Sequence, residues 1–165
     1  MNSATKKLIF SIFVVFLIIC QPLAIGAAEE SISLKNEAIN PGSFYYSFKR
    51  LWEKGLGKLQ FSRQSKINFY QSQLKIKLSE LNFVVEKKLL SEVQQASERF
   101  AFHAGILTDE LIKQNSKDKE KTIKEFEVYG KFLEKLRDVY PANTSFWMLI
   151  QHDINTLKIL SERLK

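Results

Sequence analysis

His103 and His152 are the only histidines of this chain, and Cys20 is its only cysteine. A metal-binding helix needs two imidazoles one turn apart, as in His-Glu-x-x-His, and the two histidines here lie far from that spacing. Glu98, Asp109, Glu110 and Asp153 could join them only if the fold carried several helices to one point. Scattered carboxylates on amphipathic helices belong, as a rule, to solvated surface. The sequence therefore names no metal ligand. Nucleophilic catalysis asks for a Cys or Ser activated by a base, and no serine sits in a Gly-x-Ser-x-Gly elbow. A Gly-rich phosphate loop is lacking as well. The expectation is a protein without a catalytic centre, cofactor or metal, and not an enzyme.

The densest chemistry is instead aromatic and basic. Phe44, Tyr45, Tyr46, Phe48 and Trp52 cluster around Lys49 and Arg50. Such a group packs a short helix across the ends of others, or forms an interfacial patch for a membrane or a partner. These seven residues are the candidate interaction patch.

The elements that must position them follow from periodicity. Ser43 is a candidate cap for a helix carrying Phe44, Phe48, Leu51 and Trp52, closed by Gly55 and Gly57. From Ser62 the apolar positions Ile67, Tyr70, Leu74, Leu78, Leu81, Val85 and Leu89 step by three or four, a stripe close to coiled-coil quality. It continues through Val93, Ala96, Phe100, Ala104, Leu107 and Leu111, so periodicity leaves open whether the helix breaks near Lys88. Asn115 to Lys119 is a polar interruption; Ile123, Phe126, Tyr129, Leu133, Leu136 and Tyr140 restart the pattern until Pro141. Asn143, Thr144 or Ser145 can cap a last helix bearing Trp147, Ile150, Ile154, Leu157 and Leu164. Asn143-Thr144-Ser145 also fits a glycosylation sequon and is read as a cap. The fold class is all-α: an antiparallel helical hairpin or bundle of about four to five helices after an N-terminal export segment.

That export segment is residues 1–28. Lys6 and Lys7 precede an apolar run from Leu8 to Cys20, and small residues lead to Ala27-Ala28, the order of a secretory signal cleaved after Ala28 or kept as an anchor. Ile19 stands where a small residue precedes a lipidated cysteine, which argues against lipoprotein processing. Residues 29–40 read as a linker and 41–165 as the helical domain. The protein is expected to be exported, periplasmic, cell-surface or secreted. Removing Lys6 and Lys7 with residues 1–28 takes the formal charge from +7 to +5, a mild excess over interleaved side chains that reads first as solvated helix faces and secondarily as an affinity for an anionic membrane or cell-wall surface; nucleic acid is not expected outside the cytoplasm.

The run Pro41-Gly42-Ser43-Phe44-Tyr45-Tyr46-Ser47-Phe48-Lys49-Arg50-Leu51-Trp52-Glu53 resembles the opening of an uncharacterised prokaryotic family of exported helical domains, a domain of unknown function. Its Leu-rich second segment is similar to Gln73-Leu74 through Leu81, and the resemblance is best over 41–88. The chain departs from the family's Arg-Leu-x-Glu-Leu run with Lys77-Leu78-Ser79-Glu80-Leu81, and carries Lys88 where the family often has Gly. The resemblance implies location and fold and no chemistry.

Function is read from these expectations. The leading reading is a non-enzymatic extracytoplasmic module that works by protein–protein contact, through self-association or an envelope partner. One alternative is a sensor that binds a metal or small ligand between helices through His103 or His152. Another is a membrane-surface binder acting through the aromatic and basic first helix.

Overall fold

The structure, a computed structural model, describes Ile32, Leu34 and residues 37–165. The predicted export segment and half of the linker lie outside the described residues. Five α-helices lie among the described residues: α1 (Tyr46–Lys58), α2 (Arg63–Glu86), α3 (Leu90–Lys113), α4 (Lys119–Arg137) and α5 (Ser145–Leu164). No strand occurs among the described residues, and none of these helices is long and apolar enough to cross a membrane.

The predicted stripes make the core. Leu74, Leu78 and Leu81 of α2 meet Val93, Phe100, Leu107 and Leu111 of α3, and Phe126 and Leu133 of α4 meet Ile150, Ile154 and Leu157 of α5; all are buried. Each is worth about 1.5–3 kcal/mol when removed from water. Ala96 and Ala104 alternate with Phe100 and Leu107 along α3, so small positions admit neighbours where large ones fill space.

α2 packs on α3 and α4 on α5 as hairpins, while α3 and α5 form the seam between them. Lys66–Glu110 at 3.4 Å sets α2 and α3 antiparallel. Arg163–Asp109 at 2.8 Å, with the contact of Asp153 on Ser97 further up, sets α5 parallel to α3. The two helices joined across Gln114–Asp118 are thus not packed partners, since each spends its main apolar face on a different neighbour. The short connections at about 55–61, 115–119 and 141–143 suit antiparallel neighbours; that holds for 141–143, between α4 and α5, whereas 115–119 links one hairpin to the next.

Helix ends settle the question at residue 88. Leu89 N–H donates to the Val84 carbonyl at 2.9 Å and Lys88 N–H to Val85 at 3.1 Å, the paired bonds of a Schellman stop. Lys88 takes a left-handed conformation, φ 54°, and the stripe turns back on itself. Asn115, φ 46°, ends α3 in the same way, with Ser116 N–H donating to Leu111 at 3.0 Å. Ser62 and Thr144 accept from the N–H groups of Ser65 (3.0 Å) and Trp147 (3.5 Å), capping α2 and α5.

The first helix differs from its reading in two details. Ser43 is not its cap: Ser43 N–H donates to the Asn40 carbonyl at 3.2 Å, closing a turn with Pro41 and Gly42 (φ 86°) at its centre, and the helix begins at Tyr46. Pro in the second and Gly in the third place of a four-residue turn is the type II arrangement. Gly55 and Gly57 do not close the helix, which runs to Lys58. A Cβ on Gly57 would stand 3.2 Å from the Phe69 ring, so this glycine lets the last turn of α1 lie close against α2.

Candidate functional site: a polar seam beneath the first helix

Of the residues in α1, only Tyr46 is buried. Hydrophobic burial therefore does little to hold this helix. What holds it is a set of charged and hydroxyl groups at helical spacing: Tyr46, Lys49 and Glu53 lie on one face of α1, and α2 answers with Lys77 and Glu80, three apart on its own face.

The centre is the Glu80 carboxylate, which is 1 % exposed. It accepts from the Tyr46 hydroxyl at 2.5 Å, from Lys49 Nζ at 2.9 Å and from Lys77 Nζ at 3.1 and 3.2 Å. Lys77 Nζ also donates to Glu53 at 2.7 Å, and Lys49 Nζ to Glu37 at 3.2 Å and to the Ile39 carbonyl at 3.1 Å. Arg99 of α3 completes the set, donating to the Tyr46 hydroxyl at 3.0 Å with its guanidinium 5.0 Å from the ring centroid. Three cations, Lys49, Lys77 and Arg99, balance three carboxylates, Glu37, Glu53 and Glu80. That balance is what allows charges this deep to persist, because removing any one would strand a partner away from water.

The electrostatics agree with the geometry. Burial would raise the Glu80 carboxyl, but Lys77, Lys49 and the Tyr46 hydroxyl outweigh it and hold the group below the usual carboxylate range. Burial would lower Lys49, and Glu80 and Glu37 overcome it, leaving the ammonium above its ordinary value. The Tyr46 hydroxyl is pushed up by burial and by Glu80. A carboxylate so fully engaged is a poor general base; the arrangement acts as a clamp that fixes α1 on α2 and α3.

The clamp divides the predicted patch. Tyr46 and Lys49 face inward. Phe44, Tyr45, Phe48 and Trp52 face outward, with Phe44 92 %, Phe48 68 % and Trp52 63 % exposed, and Arg50 is exposed beside them. Leu51, Leu59 and Phe61 extend the apolar surface. α1 is thus inverted relative to an ordinary surface helix: its polar face meets the protein and its aromatic face meets solvent.

Sequence reasoning passed over Glu53, Lys77, Glu80 and Arg99 as site residues. A signal was present, because Lys77 falls between Leu74 and Leu81 on the buried stripe, where a charge needs a partner. The histidines stand apart: His152 is exposed on α5, and His103 on α3 is part-buried near Lys77. Asp153, next to His152 in the chain, is buried and turned toward Ser97 of α3. Among the described residues, no three His, Cys, Asp or Glu side chains converge as a metal site would require.

Fold and site together define an all-α bundle of two stacked hairpins with a leading helix clamped on by buried charge. No family model, curated protein or solved structure matches the chain.

Proposed function

We propose that this protein is a non-enzymatic, extracytoplasmic module that works by contact, with α1 as its docking element and an anionic membrane face as the surface it docks to. The observation that carries this reading is the inversion of α1: Phe44, Phe48, Leu51 and Trp52 are turned to solvent by a clamp that fixes the helix from its polar side. Exposed aromatics flanked by Arg50, Lys54 and Lys58 are the composition of an interfacial helix, with apolar rings for the acyl boundary and cations for anionic headgroups. The predicted export segment lies close by in sequence. A linker of residues 29–40 spans at most ~40 Å when fully extended, so an anchored chain would hold α1 near the bilayer.

Vesicle sedimentation tests this with residues 29–165, whose buried core lies wholly within the helices described above. Binding is expected to vesicles of mixed phosphatidylcholine and phosphatidylglycerol, weakening with salt and lost in the Phe48→Ser, Trp52→Ser double variant. A chain that ignores such vesicles, yet forms a dimer that the same double variant dissociates, would replace the membrane by a second copy as the occupant of this face.

A further inference from the structure

Between α1, α2 and α3, on the side of α1 away from the Glu37 contact, lies an open groove of about 860 Å³. Its walls are Leu51, Phe69, Tyr70, Phe102 and Ile106. Its floor is polar and unsatisfied. Gln73, 5 % exposed, has a buried Oε1 with no hydrogen-bond partner, as do His103 Nδ1 and Glu53 Oε1. The last of these lies 3.8 Å from Lys49, beyond hydrogen-bond reach. Buried polar atoms are normally paired; Glu53 Oε1 already faces the Lys49 ammonium, whereas Gln73 Oε1 and His103 Nδ1, on residues that line this one groove, mark a place prepared for a group that hydrogen-bonds to them. Burial and Lys77 together push His103 down to about 4, so its imidazole is neutral. The groove's α1 edge carries Arg50, Lys54 and Lys58, which make no ion pair among the described residues, and Glu53 is the single carboxylate lining it. A volume of this order suits a small organic ligand.

We infer that this groove binds a small amphipathic anion: an apolar or aromatic body against Phe69, Phe102 and Ile106, an acidic group toward Arg50, Lys54 and Lys58, and a hydrogen-bonding group on Gln73 and His103. The groove shares Leu51, Arg50, Lys54 and Lys58 with the proposed docking face, but Phe44, Phe48 and Trp52 do not line it.

The matched probes are 8-anilinonaphthalene-1-sulfonate and N-phenyl-1-naphthylamine, which share an aromatic body and differ in the sulfonate. Titration followed by fluorescence and calorimetry uses the Phe48→Ser, Trp52→Ser background of residues 29–165, so that the outer aromatics contribute nothing. One-to-one binding of the sulfonate is expected, at least tenfold tighter than the uncharged probe. Lys54→Glu with Lys58→Glu, both exposed, should weaken it tenfold or more. Gln73→Met should weaken it by a similar factor while leaving the unliganded fold at least as stable, because it removes an unpaired buried amide oxygen. Equal affinity for the two probes, the absence of saturable binding, or binding indifferent to both Lys54→Glu, Lys58→Glu and Gln73→Met would overturn the inference.

Discussion

Glu80→Gln is the sharpest perturbation of the clamp, since it preserves size and deletes one charge. The carboxylate engages Lys49 at 2.9 Å, Lys77 at 3.1 and 3.2 Å and the Tyr46 hydroxyl at 2.5 Å. Neutralising it leaves Lys77, itself 2 % exposed, with Glu53 as its remaining anion. Breaking one side of a buried ionic cluster costs about 3–5 kcal/mol. The cost is capped, however, by the free energy that holds α1 in place: once α1 lifts away, the seam is wetted and the penalty is relieved. Because α1 contributes only Tyr46 to the buried set, the expected response is local release of this helix before any loss of the bundle. Native-state hydrogen exchange reads this directly. Protection of the α1 amides should fall by about two to three orders of magnitude, at tenfold per 1.4 kcal/mol, while the central amides of α3 and α5 change little. The paired variant Lys77→Met, Glu80→Leu should cost less than Glu80→Gln alone, because Tyr46 keeps Arg99, Lys49 keeps Glu37, and Glu53, which loses Lys77, is left facing Lys49 at 3.8 Å. The clamp argument fails if α1 protection in Glu80→Gln stays within threefold of the parent, or if the paired variant is worse than the single one.

Two further expectations concern pH and a helix end. His103 is held down to about 4, mainly by burial, from an ordinary value of 6.5; this contribution to stability is complete above about pH 6.5 and is lost as pH falls toward 4. Asp153 is pushed up to about 7 by burial, against a weaker pull from Ser97, with neither carboxyl oxygen hydrogen-bonded in normal geometry. Its contribution is complete below the unfolded value of 3.8 and is lost as pH rises through 7. The two slopes oppose each other between about pH 4 and 6.5, so Asp153→Asn should expose a fall in stability on acidification that the parent lacks. A urea-melt series across that window checks this, and a parent curve as steep as the variant's would contradict it. Lys88→Gly should stabilise the chain by roughly 1 kcal/mol, since a β-carbon in the left-handed region costs about 1–2 kcal/mol. A lower urea midpoint in that variant would show that the Lys88 side chain makes an unrecognised contact.

Much of the scaffold was legible in the sequence because helices bury what their period aligns. The stripe from Ile67 to Val85, the cap at Thr144, one of three adjacent candidates, and the polar break after Gln114 are local properties of the chain, set by 3.6-residue geometry and by side chains that bond their own backbone. The turn at Lys88 was less legible, because its left-handed residue is a lysine where glycine would announce the stop. The partner of each helix lay further from view. Short connections suit antiparallel neighbours, but only packing decides that α3 rests on α5 while α3 and α4, joined by a short connection, are not partners.

The aromatic and basic cluster of residues 44–52 was visible as composition, and of its two candidate meanings the sequence favours packing across the helix ends over a surface patch. Tertiary structure separates them through charges far away in the chain. Glu80 lies 34 residues beyond Tyr46 and Arg99 lies 53 beyond it. They capture the polar face of α1 because a buried carboxylate must find cations, and so turn its aromatic face to solvent. Local pattern thus determined that these residues form helices, whereas the long-range pairing of buried charge decided which side of the first helix the protein keeps.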